Sequence, residues 1–349
     1  MNNPFSMTFG KEPYMLINTY KQFDAIKDMF LSDNPAINTY LITGVRGSGK
    51  TVLLTRIEKY FDTLNDWIII DINPEIEMLE YLASCIYEKC NSKFKFAKKT
   101  LSFSFKGLAI ELYGEKPVSN VVTLLEELLT IVKKNNKKVL ICIDDTYSNK
   151  NVKAFVQQFQ ILLRKEYPIF LLMTGLYENI KNLQNEKTLT FLYRAPSIRV
   201  DKLNLISIAE SYERELKVKH DDAVNMSKLT NGYAYAYQVL GHLMYEEKKY
   251  KIDDDILNKF DTYLREYVYE KIYSDLTDGE KKIINSLAVS KDLSVSEIVN
   301  VIGISKGSFS QYRDKLIKKG ILDKTGWGKL DFSLPRFKEY VILQKEYED

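Results

Sequence analysis

The sequence predicts an α/β domain built on a parallel sheet and carrying a phosphate-binding loop, followed by a helical segment and a C-terminal helix-turn-helix with a β-hairpin. Three observations carry this expectation. The stretch Gly44-Val45-Arg46-Gly47-Ser48-Gly49-Lys50-Thr51 stands between the apolar run 39–43 and an amphipathic helix. Further apolar runs at 67–72, 138–143 and 168–175 end in acidic or small polar residues, as buried parallel strands do where they meet their loops. From 201 to 275 apolar residues recur every three or four positions and no strand-like run interrupts them.

A chain of 349 residues exceeds one hydrophobic core, so more than one domain is expected. We divide it into an α/β domain over 1–200 with a hairpin insertion near 100–113, a helical domain over 201–275 and a C-terminal domain over 276–349. At 45% hydrophobic and 28% charged residues the composition is that of an ordinary globular protein. The formal net charge of +3 is too small to argue for nucleic acid, so any such argument has to be local. Cys85, Cys90 and Cys142, with His220 and His242, show no metal-ligand spacing, which points to a reducing compartment without structural zinc. The first fifteen residues lack a basic-then-apolar leader, and no apolar run nears the ~20 residues that span a bilayer, so a cytoplasmic location is expected.

In chain order, an extended lead-in precedes a helix over 20–30, where Phe23, Ile26 and Phe30 share one face. Tyr14 and Leu16 stand where a nucleotide base is often flanked, although simple packing explains them as well. The loop at 44–51 fits G-x-x-x-x-G-K-[ST] in the strand-to-helix context that makes this pattern informative. Glycines let the backbone turn successive N–H groups toward phosphate oxygens, and the helix beginning near Lys50 adds its positive end. Lys50 is suited to the β- and γ-phosphates and the Thr51 hydroxyl to Mg²⁺, with Gly44, Arg46, Gly47, Ser48 and Gly49 lining the phosphates. ATP and Mg²⁺ are therefore the expected cofactors.

A strand at 67–72 and a helix over 78–90 continue the α/β rhythm. The alternation Leu101-Ser102-Phe103-Ser104-Phe105, the turn Lys106-Gly107 and the run 108–112 read as an inserted hairpin. Its flanking Lys93, Lys95, Lys98 and Lys99 with Phe94 and Phe96 suit a DNA or protein contact and equally suit a solvated edge. The strand at 138–143 delivers Asp144 and Asp145 to its carboxyl end, where open α/β sheets hold ligands. Asp144 fits the acid that holds the metal, and Asp145 is placed to orient or deprotonate an attacking water. After a helix over 157–164, the strand at 168–175 ends in Thr174, a candidate sensor of the γ-phosphate or simply a strand-end hydroxyl. Arg194, just before a short strand at 197–200, is a candidate to reach a neighbouring subunit's nucleotide, since its charge is permanent and its fork grips phosphate.

Taken with Leu171-Leu172-Met173-Thr174-Gly175-Leu176 and the element 231–241 containing Gly232-Tyr233-Ala234-Tyr235-Ala236-Tyr237-Gln238, these motifs resemble the archaeal-type P-loop ATPases. That group is related to the origin-recognition AAA+ initiators and to the STAND signalling ATPases. The resemblance implies an ASCE-type P-loop sheet, and it assigns the 231–241 element to a helical lid behind the nucleotide. Two departures stand out. Asp145 occupies a position where AAA+ members usually carry Glu, and no Arg lies between Tyr233 and Gln238, where a second sensor arginine is common. Both leave slow hydrolysis, or a switch-like nucleotide cycle, open.

Helices are expected over 205–216, 222–229, 234–245 and 254–273, with Asp253 to Asp255 as a solvated helix start and His242 as a packed helix residue. In the last segment Thr277 and Glu280 form a capping-box pair. Ser294 caps a short helix, Gly303 makes the turn, Ser305 opens a helix over 306–319, and a hairpin follows through residue 334. The whole resembles a winged helix. From Ser305 to Leu330 seven Lys or Arg face two Asp, a local charge of +5, against 13 − 11 = +2 for everything from Thr277 onward. Such concentration is what phosphate contacts need, and Lys306, Ser308, Gln311, Arg313, Lys315 and Lys329 are the candidate DNA-binding residues. The expected protein is thus an ATP-binding, ATP-hydrolysing switch that contacts DNA, alone or as a homo-oligomer. The competing reading is a STAND-like signalling or defence ATPase whose winged helix docks a partner protein.

Overall fold

The computed structural model describes residues 3–8, 21–94, 103–105, 108–110, 120–289, 295–326 and 329–348. By its internal contacts the chain divides into two compact units, one of residues 21–43 and 53–198, the other of 1–20, 44–52 and 199–349.

The first unit runs through α1 (Lys21–Leu31), β1 (Thr39–Thr43), α2 (Lys50–Asp62) from Leu53 onward, β2 (Trp67–Asp71), α3 (Met78–Phe94), β3 (Phe103–Phe105) and β4 (Leu108–Ile110). It continues with α4 (Val121–Lys134), β5 (Lys138–Ile143), α5 (Lys150–Arg164), β6 (Ile169–Gly175), α6 (Tyr177–Gln184), a 3₁₀ turn at Leu192–Arg194 and β7 (Ser197–Arg199). Five strands form one sheet in the order β2-β5-β6-β1-β7, and β2–β5, β5–β6 and β1–β6 pair in parallel. β3 and β4 pair antiparallel, apart from that sheet.

Continuous apolar runs make strands buried on both faces. β1 and β6 are buried along their whole length. On one face Leu41, Ile141 and Leu171 join Leu82, Leu125 and Phe155 of α3, α4 and α5 in one cluster. On the other, the Phe30 ring of α1 packs tilted at 4.8 Å from Phe170, and Phe61 of α2 lies 4.3 Å from Trp67. α5 begins seven residues before the expected 157, because the Asn149 side chain accepts the Val152 amide at 2.8 Å and caps an earlier start. α6 and the final helix described below carry no distinctive sequence signal and were not expected.

The second unit holds the loop 44–52, then α7 (Leu205–Leu216), α8 (His220–Thr230), α9 (Ala234–Glu246), α10 (Asp254–Leu264), a π-helical turn at Arg265–Tyr269, and α11 (Glu270–Ser274). It ends with α12 (Asp278–Val289), α13 (Val295–Ile302), α14 (Lys306–Lys319), β8 (Leu322–Gly326), β9 (Lys329–Phe332) and α15 (Phe337–Glu348). The single helix expected over 254–273 is thus interrupted. Its wide turn re-aims the following side chains, burying Val268 and Tyr269, and the Tyr269 hydroxyl donates to the Pro335 carbonyl.

One core of Tyr212, Tyr237, Phe260, Ile283, Phe309 and Phe337 runs through these helices. The N-terminal segment is tied to α9: the Phe5 ring packs 5.6 Å from Tyr237, the Ser6 amide donates to Gln238 at 2.8 Å, and Asn3 bonds His242 at 3.1 Å. The Thr277–Glu280 capping box is reciprocal, with Glu280 accepting the Thr277 amide at 2.9 Å. β8 and β9 form an antiparallel hairpin after α14. Tyr14, Leu16, residues 95–102, 106–107 and 111–112, Ser294, Trp327 and Gly328 lie outside the described residues, as do the side chains of Lys93, Phe94, Phe103 and Phe105.

Candidate nucleotide site

The loop Gly44 to Val52 leaves the end of β1 and enters α2 at Lys50, so its chemistry begins with backbone geometry. Gly47 and Gly49 have φ of 70° and 94°, the left-handed region that favours glycine. A Cβ on Gly44 would overlap the Ser48 hydroxyl, so that position also needs its glycine. The Ser48 amide closes a tight turn on the Val45 carbonyl at 3.2 Å, and Lys50 Nζ donates to the Gly44 and Val45 carbonyls at 3.1 Å each. Arg46 turns its guanidinium toward Asp275, 3.7 Å away, while its own carbonyl accepts the Tyr233 hydroxyl. The Gly47 carbonyl accepts the Tyr235 amide at 3.1 Å. A cleft beside the loop is lined by Val45, Ser48, Arg199, Tyr233 and Ala234. The first turn of α2 carries no carboxylate, so the positive helix end is left uncompensated by its own side chains.

The acids follow β5 in the other unit. Asp144 is half-buried, and its carboxylate accepts the Thr174 hydroxyl. The same Thr174 oxygen accepts the Asp145 amide at 3.1 Å, and the Thr174 carbonyl accepts the Thr146 amide at 2.7 Å. Thr174 itself is fully buried, so it joins the ends of β5 and β6 rather than presenting its hydroxyl to solvent. Asp145 is exposed and held at φ 46°. Arg194 lies exposed on the 3₁₀ turn. The structure therefore brings Asp144, Asp145 and Thr174 together in one unit, and in the other joins the loop to the Tyr233 element.

Two further acids belong to the Asp144 neighbourhood, and sequence reading missed them. Burial first, then the charges of Asp71 and Asp144, push the Glu58 carboxyl up to about 7, against the opposing pull of a Cys142 hydrogen bond and Lys89. Asp71 is raised as well, by burial and by Asp144. Asp71 ends β2 just as Asp144 follows β5, and that position is the signal that could have found it. Glu58 lies mid-helix and offers none. Cys142 is wholly buried, as its apolar surroundings in the sequence suggested, and burial pushes its thiol far up.

The DNA candidates lie on α14 and the hairpin. Lys306, Gln311, Lys315 and Lys329 are exposed, whereas Ser308 and Arg313 are half-buried. Ser308 donates its amide to the Ser305 cap, and Arg313 binds Asp314 and Ser310 of its own helix at 2.9 and 3.1 Å.

With this sheet order and loop in view, solved structures of like architecture can be compared. The Walker-type ATPase of Pyrococcus abyssi superposes with a TM-score of 0.66 at 14% identity, over 94% of this chain and 96% of that one. The chain shares the fold of this Walker-type ATPase. The ORC2 protein of Aeropyrum pernix matches with a TM-score of 0.58 at 13% identity over 97% and 98% of the two chains. The Cdc6p protein of Pyrobaculum aerophilum matches at 0.50 and 16% over 98% and 97%. A domain of unknown function, DUF8462, matches residues 266–341 of this chain. No curated protein matches it in sequence. Among the described residues no helix is long and apolar enough to cross a membrane.

Proposed function

We propose that this chain is an Mg²⁺-dependent ATP-binding and ATP-hydrolysing switch whose C-terminal winged helix contacts DNA. The observation that carries the reading is the loop 44–51: two left-handed glycines and a helix that starts at Lys50 with no acid in its first turn. These features fit a polyphosphate. Gly44, Gly47, Ser48 and Gly49 would line it with backbone, and the Lys50 ammonium would exchange its two carbonyl partners for phosphate oxygens. The Aeropyrum pernix ORC2 protein, of the same fold, is described in ADPNP and ADP complexes, which supports the choice of adenine nucleotide.

Asp71 and Asp144 close β2 and β5, and burial, then like-charge repulsion from Asp144, raises the proton affinity of Glu58 and Asp71. Thr51 and Asp144 would hold Mg²⁺, and the ion, when bound, neutralises charge developing on the phosphates. Asp145, exposed at the strand end, is the group to orient or deprotonate water. Thr174 fixes both acids through one hydroxyl. Arg194 is the candidate to complete a neighbour's site.

Three helices followed by an antiparallel hairpin support the winged-helix reading of 276–349. The exposed Lys306, Gln311, Lys315 and Lys329 supply the DNA face, with Ser308 and Arg313 at its edge.

Lys50→Ala removes the only side-chain cation of the loop's helix end and is expected to weaken ATP binding by on the order of a hundredfold or more, measured by calorimetry with Mg²⁺. Unchanged affinity removes the nucleotide assignment. A DNA-binding titration over increasing salt tests the other half, because several phosphate contacts impose a steep log–log slope. A flat response returns the C-terminal domain to protein docking.

A further inference from the structure

The general loop pattern leaves position 47 open, yet this chain has glycine there, and the reason lies far along the chain, at Tyr233 and Tyr235. A Cβ on Gly47 would overlap the Tyr233 hydroxyl and Cβ of Tyr235. These two residues of the lid element also supply donors to the loop's outer side: the Tyr233 hydroxyl to the Arg46 carbonyl and the Tyr235 amide to the Gly47 carbonyl at 3.1 Å. With Lys50 Nζ on the Gly44 and Val45 carbonyls, all four carbonyls of 44–47 are accounted for.

A trans peptide is planar, so its C=O and N–H point in opposite directions. Holding the Arg46 carbonyl on Tyr233 therefore aims the Gly47 N–H to the opposite side, away from the lid. Tyr233 is almost wholly buried, and burial pushes its phenol well above the ordinary value, so the hydroxyl keeps its proton and remains a donor. The Gly47 peptide is set in the same way by Tyr235, with its N–H closing the Ser48 turn on Val45.

Resting on the nucleotide reading above, we infer that Tyr233 is a positioning residue for the bound polyphosphate, fixing the Arg46–Gly47 peptide so that the loop is shaped for phosphate only while the lid element is docked on it. The tyrosine touches no phosphate itself. It replaces, from outside, the peptide orientation that a loop of glycines cannot hold alone, since Gly47 without a partner samples many conformations.

The test uses the full chain and Tyr233→Phe, which keeps the ring and its packing. The control is Tyr237→Phe, four residues on, whose buried hydroxyl pairs with Ser211 at 2.7 Å and not with the loop. ATP affinity, and displacement of a fluorescent ATP analogue by tripolyphosphate, are measured with Mg²⁺ alongside the melting temperature of the nucleotide-free protein. Loss of one hydrogen bond predicts an affinity about three- to tenfold weaker for both ligands in Tyr233→Phe. Tyr237→Phe should match its change in melting temperature and leave both affinities within about twofold. Wild-type tripolyphosphate affinity in Tyr233→Phe, or an equal loss in Tyr237→Phe, overturns the inference and leaves the nucleotide reading standing. Failure of the unaltered chain to bind ATP overturns both.

Discussion

Two glutamates, one in each unit and neither exposed, meet opposite fates. Glu280 has a fully buried side chain, yet Lys319 Nζ lies 2.7 Å from one carboxyl oxygen and 2.9 Å from the other, and Thr277 donates through its amide and hydroxyl. Burial pushes its carboxyl up, but the Lys319 and Thr277 bonds outweigh that and leave it below the ordinary value. Glu58 is half-buried, and partial burial together with the charges of Asp71 and Asp144 pushes its carboxyl up to about 7. Desolvation raises both. What differs is the sign of the dominant neighbouring charge: an ammonium anchors Glu280, whereas carboxylates face Glu58.

The contrast gives stability opposite pH slopes. For Glu58, whose folded value is raised from 4.5 to about 7, the folded chain binds more protons than the unfolded one between those values. Its contribution is full at the acid end and is lost as pH rises through that window. For Glu280, whose folded value is lowered, the contribution is present above the unfolded value and is lost as pH falls below it.

The largest expected effect comes from stranding the anchor. Lys319→Ala leaves Glu280 buried without its ammonium and should destabilise the chain by about 3 kcal/mol near pH 7, read from urea unfolding. A loss well below ~1 kcal/mol would mean that the Thr277 cap alone keeps Glu280 ionised, and the contrast with Glu58 would rest on the cap rather than the ion pair. The smaller effect has the opposite sign. Glu58→Gln removes a carboxylate that must ionise among like charges, so the nucleotide-free protein should gain on the order of 1–3 kcal/mol at pH 8 and almost nothing at pH 4.5. A variant less stable than the parent at both pH values would show that the Glu58 charge is balanced, and the comparison would fail.

Much of the fold was legible in local pattern. The runs 39–43, 67–71, 138–143 and 169–175 have no polar interruption, and only a strand covered on both faces satisfies such runs. The loop at 44–51 was legible because its chemistry is written in consecutive residues, and Asp144 because it follows a buried strand directly. The wide turn at Arg265–Tyr269 was not legible: apolar spacing continues through it, and what sets it is the place Tyr269 finds against Pro335. The early start of α5 depended on one cap at Asn149.

By itself the sequence determined most of the elements, their buried faces and the glycine-rich turn between β1 and α2, since propensity, periodicity and turn chemistry act between neighbours a few residues apart. Only the tertiary structure decided that Tyr233 and Tyr235 support that loop, that Thr174 spends its hydroxyl on Asp144 and Asp145, and that Glu58 faces Asp71 and Asp144 while Glu280 meets Lys319. Those outcomes depend on distance in space between residues 13 to 188 apart in the chain, and burial lowers the dielectric that sets how strongly such groups act on one another.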